Sequence, residues 1–85
     1  MVTNATHSRT QTGVRIATPL LKVLKGLAEY KDMSLGDLLE GIVLHSFEGK
    51  QPFSKETMSI IENLRDIYDC HLASEDSHKN PKTDK

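Results

Sequence analysis

The chain has one cysteine, Cys70, no tryptophan, and only two tyrosines and two phenylalanines among its 85 residues. A single cysteine excludes an intrachain disulfide, and a lone cysteine is typical of a reducing compartment. No apolar run approaches the roughly 20 residues that a membrane-spanning helix needs. Residues 1–13 are polar and do not resemble a secretion signal. We therefore expect a cytoplasmic protein with no membrane partner.

Signatures of catalysis and metal binding are also missing. His45, Cys70, His71 and His78 do not follow a recognised zinc-ligand spacing. The sequence contains no glycine-rich phosphate loop and no nucleophile motif. We expect no metal, no cofactor and no enzymatic activity.

Small size and uneven charge are the informative features of the composition. A chain of 85 residues buries a modest core, and chains of this size often gain stability from a partner. Residues 1–33 contain five basic and two acidic residues, a balance of +3, whereas residues 34–85 contain six basic and ten acidic residues, a balance of −4. Such a split is found where an N-terminal part faces nucleic acid, and ordinary surface charge explains it equally well.

One segment has the pattern of a β-strand. Between positions 10 and 17 the sequence is TQTGVRIA, in which β-branched residues alternate with other residues. Alternation with a period of two predicts a strand with one semi-apolar face. Thr18 and Pro19 follow it, and this pair favours the start of a helix.

Three helices are predicted after this strand. The first runs from about Pro19 to Lys31, the second is capped by Ser34 and ends at Gly49, and the third is capped by Ser54. Apolar residues recur in each at the spacing of one buried face. The residues of the second helix expected to face inward are Leu35, Leu38, Leu39, Ile42, Val43 and Phe47. The predicted organisation is a flexible arm (1–9), a strand and two helices (10–49), a third helix (50–73) and a disordered tail (74–85).

An isolated strand has no partner for its backbone N–H and C=O groups. Pairing with the same segment of a second chain under two-fold symmetry would satisfy them. We therefore expect a mostly α-helical homodimer, with one short strand per chain joined into an intermolecular antiparallel β-ribbon that rests on the helices.

The segment VRIATPLLKVLKGLAEYKDMSLGDLLEGIVLHSFEG resembles the Arc/MetJ/CopG ribbon-helix-helix family. The shared features are a strand ending in V-R-I, a helix that opens two or three residues later, and a short turn into a serine-capped second helix. The resemblance covers roughly residues 9–49 and rests on the order of apolar positions. It implies a bacterial-type DNA-binding regulator, most simply a repressor, that inserts its ribbon into the major groove of double-stranded DNA.

The resemblance assigns roles to individual residues. It implies that base edges are contacted by Gln11, Gly13 and Arg15. Glycine at position 13 has no side chain to contact a base, so fewer base contacts are implied here than in the family. Phosphate contacts are expected from the start of the second helix, at Ser34, Leu35 and Gly36, because free backbone N–H groups and the helix dipole favour an anion there. Arg9, Thr10 and Lys22 are added as backbone contacts on charge and position only. The expected dimer core consists of Thr12, Val14, Ile16, Leu20, Leu24, Leu27, Leu38, Leu39, Ile42 and Val43.

The third helix leaves alternatives open. Its apolar stripe packs on the same dimer or binds a partner: a second dimer, giving a tetramer on DNA, or a toxin if the chain is an antitoxin. A structural dimer or tetramer that has lost DNA binding is a further alternative, because of Gly13 and the low overall basicity.

Overall fold

The computed structural model describes residues 8–78, and these form an all-helical fold. Three helices follow one another: α1 (Thr18–Tyr30), α2 (Leu35–Phe47) and α3 (Lys55–Ile67), each of 13 residues. A short 3₁₀ helix, Ser74–His78, follows within the segment predicted to be a disordered tail. Residues 1–7 of the predicted arm and residues 79–85 of that tail lie outside the described residues.

The predicted fold class, a ribbon-helix-helix dimer with an intermolecular β-ribbon, is wrong. Residues 10–17 have no regular secondary structure, and no strand occurs between residues 8 and 78. None of the backbone hydrogen bonds among these residues involves positions 10–16. A strand needs a ladder partner, and the described part of the chain contains no second segment that could supply one. The alternating residues of TQTGVRIA therefore do not form a buried and an exposed face of a strand. Val14, for example, is 72% exposed.

The starts of the helices agree closely with their predicted caps. Ser34 Oγ accepts a hydrogen bond from the Asp37 amide (3.0 Å), and Ser54 Oγ accepts one from the Thr57 amide (3.1 Å). Each bond satisfies one of the free N–H groups in a first helical turn. The predicted N-cap of α1, Thr18, is instead its first helical residue; Ala17 is the N-cap and makes no side-chain cap bond.

All three helices end in the same way, with a left-handed residue one position beyond the cap. These residues are Asp32 (φ 60°), Gly49 (φ 71°) and Asp69 (φ 56°). After α2, the Lys50 amide donates to the His45 carbonyl (2.8 Å) and the Gly49 amide donates to the Ser46 carbonyl (3.0 Å). Met33 with Asp32, and Cys70 with Asp69, donate in the equivalent way after α1 and α3. This is the Schellman arrangement, which satisfies the last carbonyl groups of a helix.

Helix α1 lies centrally and packs against both α2 and α3. Its buried residues Leu27 and Ala28 join Leu38 of α2 in the core. The half-buried residues packed against this core are Leu24, Ile42, Phe53, Ile60, Ile61 and Leu64. The apolar stripe of α3 is thus used within the chain. Val23 of α1 is also buried, whereas Leu20, predicted as core, is 40% exposed.

The Arg65 side chain binds the chain beyond α3 at two carbonyl groups. Arg65 donates from Nε to the Cys70 carbonyl (3.2 Å) and from Nη2 to the Leu72 carbonyl (2.9 Å). The Cys70 side chain beneath this turn is buried. None of the helices between residues 8 and 78 has the length and apolar character required to cross a membrane.

Candidate functional site

The segment of residues 8–16, the beginning of α1 and the first two turns of α2 enclose an open groove of about 900 Å³. The groove brings together residues that the sequence placed in DNA contact: Arg9, Thr10, Gln11, Gly13, Leu35 and Gly36. The remaining lining residues are Ser8, Thr12, Val14, Ile16, Leu21, Leu39 and Glu40. The predicted contacts Arg15, Lys22 and Ser34 do not line it. Most of the predicted set thus shares one surface, although no strand organises it.

Side chains with free donors lie on and beside this groove. Gln11, Arg15 and Lys22 are exposed, and within residues 8–78 none of them makes a hydrogen bond or an ion pair. A guanidinium, an ammonium and an amide are the groups that proteins use on phosphates and base edges. Gly13 lies between two of them, with open space where a side chain would be. Gln11, Arg15 and Lys22 can therefore donate to an anionic partner without first breaking contacts of their own within residues 8–78.

The N-terminus of α2 forms one wall of the groove. Its amide N–H groups carry the positive end of the helix dipole, and the Asp37 amide is already used by the Ser34 cap. Gly36 brings the backbone close to Arg9, whose Nη2 would lie 4.0 Å from an added Cβ. The carboxylate of Asp37 occupies the first turn, where it complements the same dipole.

Arg9 differs from the other predicted cationic contacts, Arg15 and Lys22, because it already has ion-pair partners. Its Nη2 lies 3.2 Å from Asp37 Oδ1 and 3.2 Å from Glu40 Oε1. All three side chains are more than half exposed, so each pair contributes little to folding. Arg9 was predicted to contact phosphate, and neither of its acidic partners was predicted. The i, i+3 spacing of Asp37 and Glu40 on one helix face was the available signal.

A second surface feature is the outer face of α2, opposite the core. Val43 is 44% exposed, Leu44 60% and Phe47 81%. Leu39, which is half-buried, is one turn from Val43 on the same side and also lines the groove. The prediction that Phe47 faces inward is therefore wrong in this chain. Helix α2 therefore has two apolar faces: the face with Leu38 packs against α1, and the outer face with Phe47 is exposed.

The predicted dimer-core residues divide between the two sides of the molecule. Leu27 and Leu38 are buried, and Leu24 and Ile42 pack against them. Ile16 and Leu39 are half-buried beside the groove. The members of the set that are exposed in the single chain are Thr12, Val14, Leu20 and Val43.

Residues with metal-binding or nucleophilic side chains lie apart. Among the residues that the structure describes, no three His, Cys, Asp or Glu side chains come together. His45 Nδ1 donates to the Gly41 carbonyl (2.8 Å), and His71 Nε2 lies 2.6 Å from Asp69 Oδ1. Their partners are thus local, within four residues along the chain.

Comparison with protein-family models, with curated proteins and with solved structures finds no match to this chain. The resemblance to the ribbon-helix-helix family therefore has no support beyond the sequence pattern, and its structural implication is contradicted by the all-helical fold.

Proposed function

We propose that this chain is a DNA-binding regulator that acts as a homodimer, without a β-ribbon. The duplex faces the groove and the exposed donors on and beside it: Gln11, which lines the groove, and Arg15 and Lys22, which flank it. The two chains associate through the outer face of α2. The observation that carries the proposal is that these three donors are exposed and unpaired in the described chain, beside a helix whose outer face is apolar.

The charge distribution supports this orientation toward DNA. The N-terminal third of the sequence carries the positive balance, and Arg15, Lys22 and Lys25 are exposed there without an ion-pair partner in the described residues. Phosphate neutralisation by such side chains supplies most of the non-specific affinity for DNA. Arg15 and Gln11 also have the geometry to contact guanine and adenine edges.

The apolar outer face of α2 supports association with a second copy. Aliphatic and aromatic side chains left in water are unfavourable by about 25 cal/mol per Å² of apolar surface, and Val43, Leu44 and Phe47 present such surface together. A two-fold axis that lies in this interface and is perpendicular to α2 would place two α2 helices side by side in opposite directions, an arrangement in which the two helix dipoles attract each other. The same operation would put two groove surfaces on one particle, as repeated half-sites require.

DNA binding is tested by fluorescence anisotropy with genomic duplexes at two salt concentrations. We expect binding that weakens as salt rises, and Arg15→Ala should weaken specific binding by about 1–3 kcal/mol. Lys55→Ala is the matched control, because it removes one positive charge from the start of α3, away from the groove. Salt-insensitive binding, or an equal loss in both variants, would contradict the assigned surface.

Association is tested by analytical ultracentrifugation at micromolar concentration. The wild type should sediment as a dimer and Phe47→Asp as a monomer, because a carboxylate in an apolar contact is strongly unfavourable. Ile67→Asp is the control, since Ile67 is 68% exposed at the end of α3 and lies outside the proposed contact. A monomeric wild type would refute the homodimer.

Binding of a partner protein at the third helix, as in an antitoxin, is less well supported. Ile60, Ile61 and Leu64 of α3 pack against the core of the same chain. The exposed apolar residues left near its end are Ile67, Tyr68 and Leu72. No observation favours a partner there over solvent.

A further inference from the structure

Arg9 lines the groove and, unlike Arg15 and Lys22 beside it, already has anionic partners. A single nitrogen, Nη2, serves two carboxylates at the same distance, 3.2 Å to Asp37 and 3.2 Å to Glu40. These partners belong to the first two turns of α2, at the helix end whose dipole attracts anions. Two negative groups therefore lie where a DNA phosphate in the groove would otherwise meet Arg9.

The same contact holds the segment of residues 8–16 against α2. Residues 10–16 contribute no backbone hydrogen bond within the described chain, and Val14 is 72% exposed. In this segment, hydrogen bonding to the helical body is confined to Arg9, and Ile16 adds a half-buried apolar contact. The placement of Gln11 and Arg15 is thus coupled to whether Arg9 stays on its carboxylates.

We propose that Asp37 and Glu40 are internal competitors of DNA phosphate: they hold Arg9 in the free protein and lower its affinity for DNA. This inference rests on the proposed function. On binding, Arg9 exchanges the carboxylates for a phosphate, and the segment of residues 8–16 leaves α2 with it. Exposed ion pairs are weak enough for this exchange, since each contributes only about 0.2–1 kcal/mol.

The test is the DNA affinity of the double variant Asp37→Asn/Glu40→Gln, measured by anisotropy beside the wild type. Both changes preserve side-chain shape, and the Ser34 cap is retained because it uses the Asp37 backbone amide. We expect affinity to rise by about three- to thirtyfold, the sum of two such pairs expressed as a ratio. The control is Glu56→Gln/Asp66→Asn on α3, which changes the net charge equally and removes no contact of Arg9.

An Arg9→Ala background separates competition from simple repulsion of DNA by acidic groups. If the carboxylates act through Arg9, the gain from Asp37→Asn/Glu40→Gln should largely disappear there. An equal gain in both backgrounds, or a gain matched by the α3 control, would overturn the inference. If the wild type binds DNA and the double variant binds with the same affinity, this inference is overturned but the proposed function is not. Absence of DNA binding by all variants would overturn the proposed function, and the inference with it.

Discussion

Gly26 and Gly41 allow the packing of α1 on α3 to be tested with one chemical change at two sites. Both lie inside 13-residue helices, Gly26 in α1 and Gly41 in α2. A Cβ at Gly26 would lie 2.9 Å from Leu64 Cδ2 and 3.6 Å from Tyr68 Cε2, whereas a Cβ at Gly41 would meet nothing within 4 Å. The alanine substitution therefore brings the same gain in helix propensity at both sites, but it creates a steric clash only at Gly26.

The magnitudes follow from two opposing terms. Replacing an interior helical glycine by alanine stabilises a helix by roughly 0.5–1 kcal/mol. Extra volume in a packed contact costs about 1–3 kcal/mol when neighbours have to move. Leu64 is packed against the core, so its shift disturbs other contacts. We expect Gly41→Ala to be more stable than the wild type by roughly 0.5–1 kcal/mol, and Gly26→Ala to be less stable by about 1 kcal/mol.

Urea unfolding followed by circular dichroism measures both variants at one protein concentration, because association would add to the apparent stability. In thermal unfolding, 1 kcal/mol corresponds to a shift in Tm of about 4–8 °C for a domain of this size. The stability gain of Gly41→Ala measures the change in helix propensity alone. Subtracting it from the change measured for Gly26→Ala gives the steric cost at Gly26. If Gly26→Ala were as stable as Gly41→Ala, the close approach of α1 and α3 at Leu64 would be refuted.

Three further predictions concern helix ends and can be checked by the same unfolding measurements. Asp32→Gly should stabilise the chain by roughly 0.5–1 kcal/mol, because φ is 60° there and glycine adopts it without strain. Gly49→Ala, at φ 71°, should cost about 1 kcal/mol for the same reason, and equal stability would contradict the left-handed turn after α2. Ser54→Ala should cost about 1 kcal/mol through loss of the bond from the Thr57 amide, and an unchanged midpoint would contradict the cap.

The helices were predictable because their signals are local. Ser34 and Ser54 each accept a bond from an amide three residues away, and Gly49 supplies the left-handed turn within one helical turn of the residues it caps. Asp32 and Asp69 adopt the same left-handed conformation after α1 and α3, although aspartate is less common than glycine at this position. Such interactions need no information from distant parts of the chain, so the order of three helices could be inferred from the sequence alone.

The orientation of the apolar faces was only partly predictable. Leu38 and Phe47 both fit an apolar helical face, yet the first is buried and the second is 81% exposed. Periodicity in the sequence identifies the apolar faces of a helix. When a helix has two apolar faces, the pattern does not show which of them packs against a neighbouring helix. Val23 was missed for a related reason, because α1 packs against both α2 and α3 and so buries a wider face than one stripe.

The alternating segment TQTGVRIA and the groove beside it depended on tertiary structure. Alternation makes a strand possible, but the strand requires a ladder partner, and the described chain has none for residues 10–17. Likewise, Arg9 is 28 residues from Asp37 in sequence, and only folding brings the two within 3.2 Å. The sequence by itself determined the order of the three helices and the starts of α2 and α3, since their capping bonds are made between near neighbours. Only the tertiary structure decided which faces are buried and which charges are paired, since both depend on residues that folding brings together.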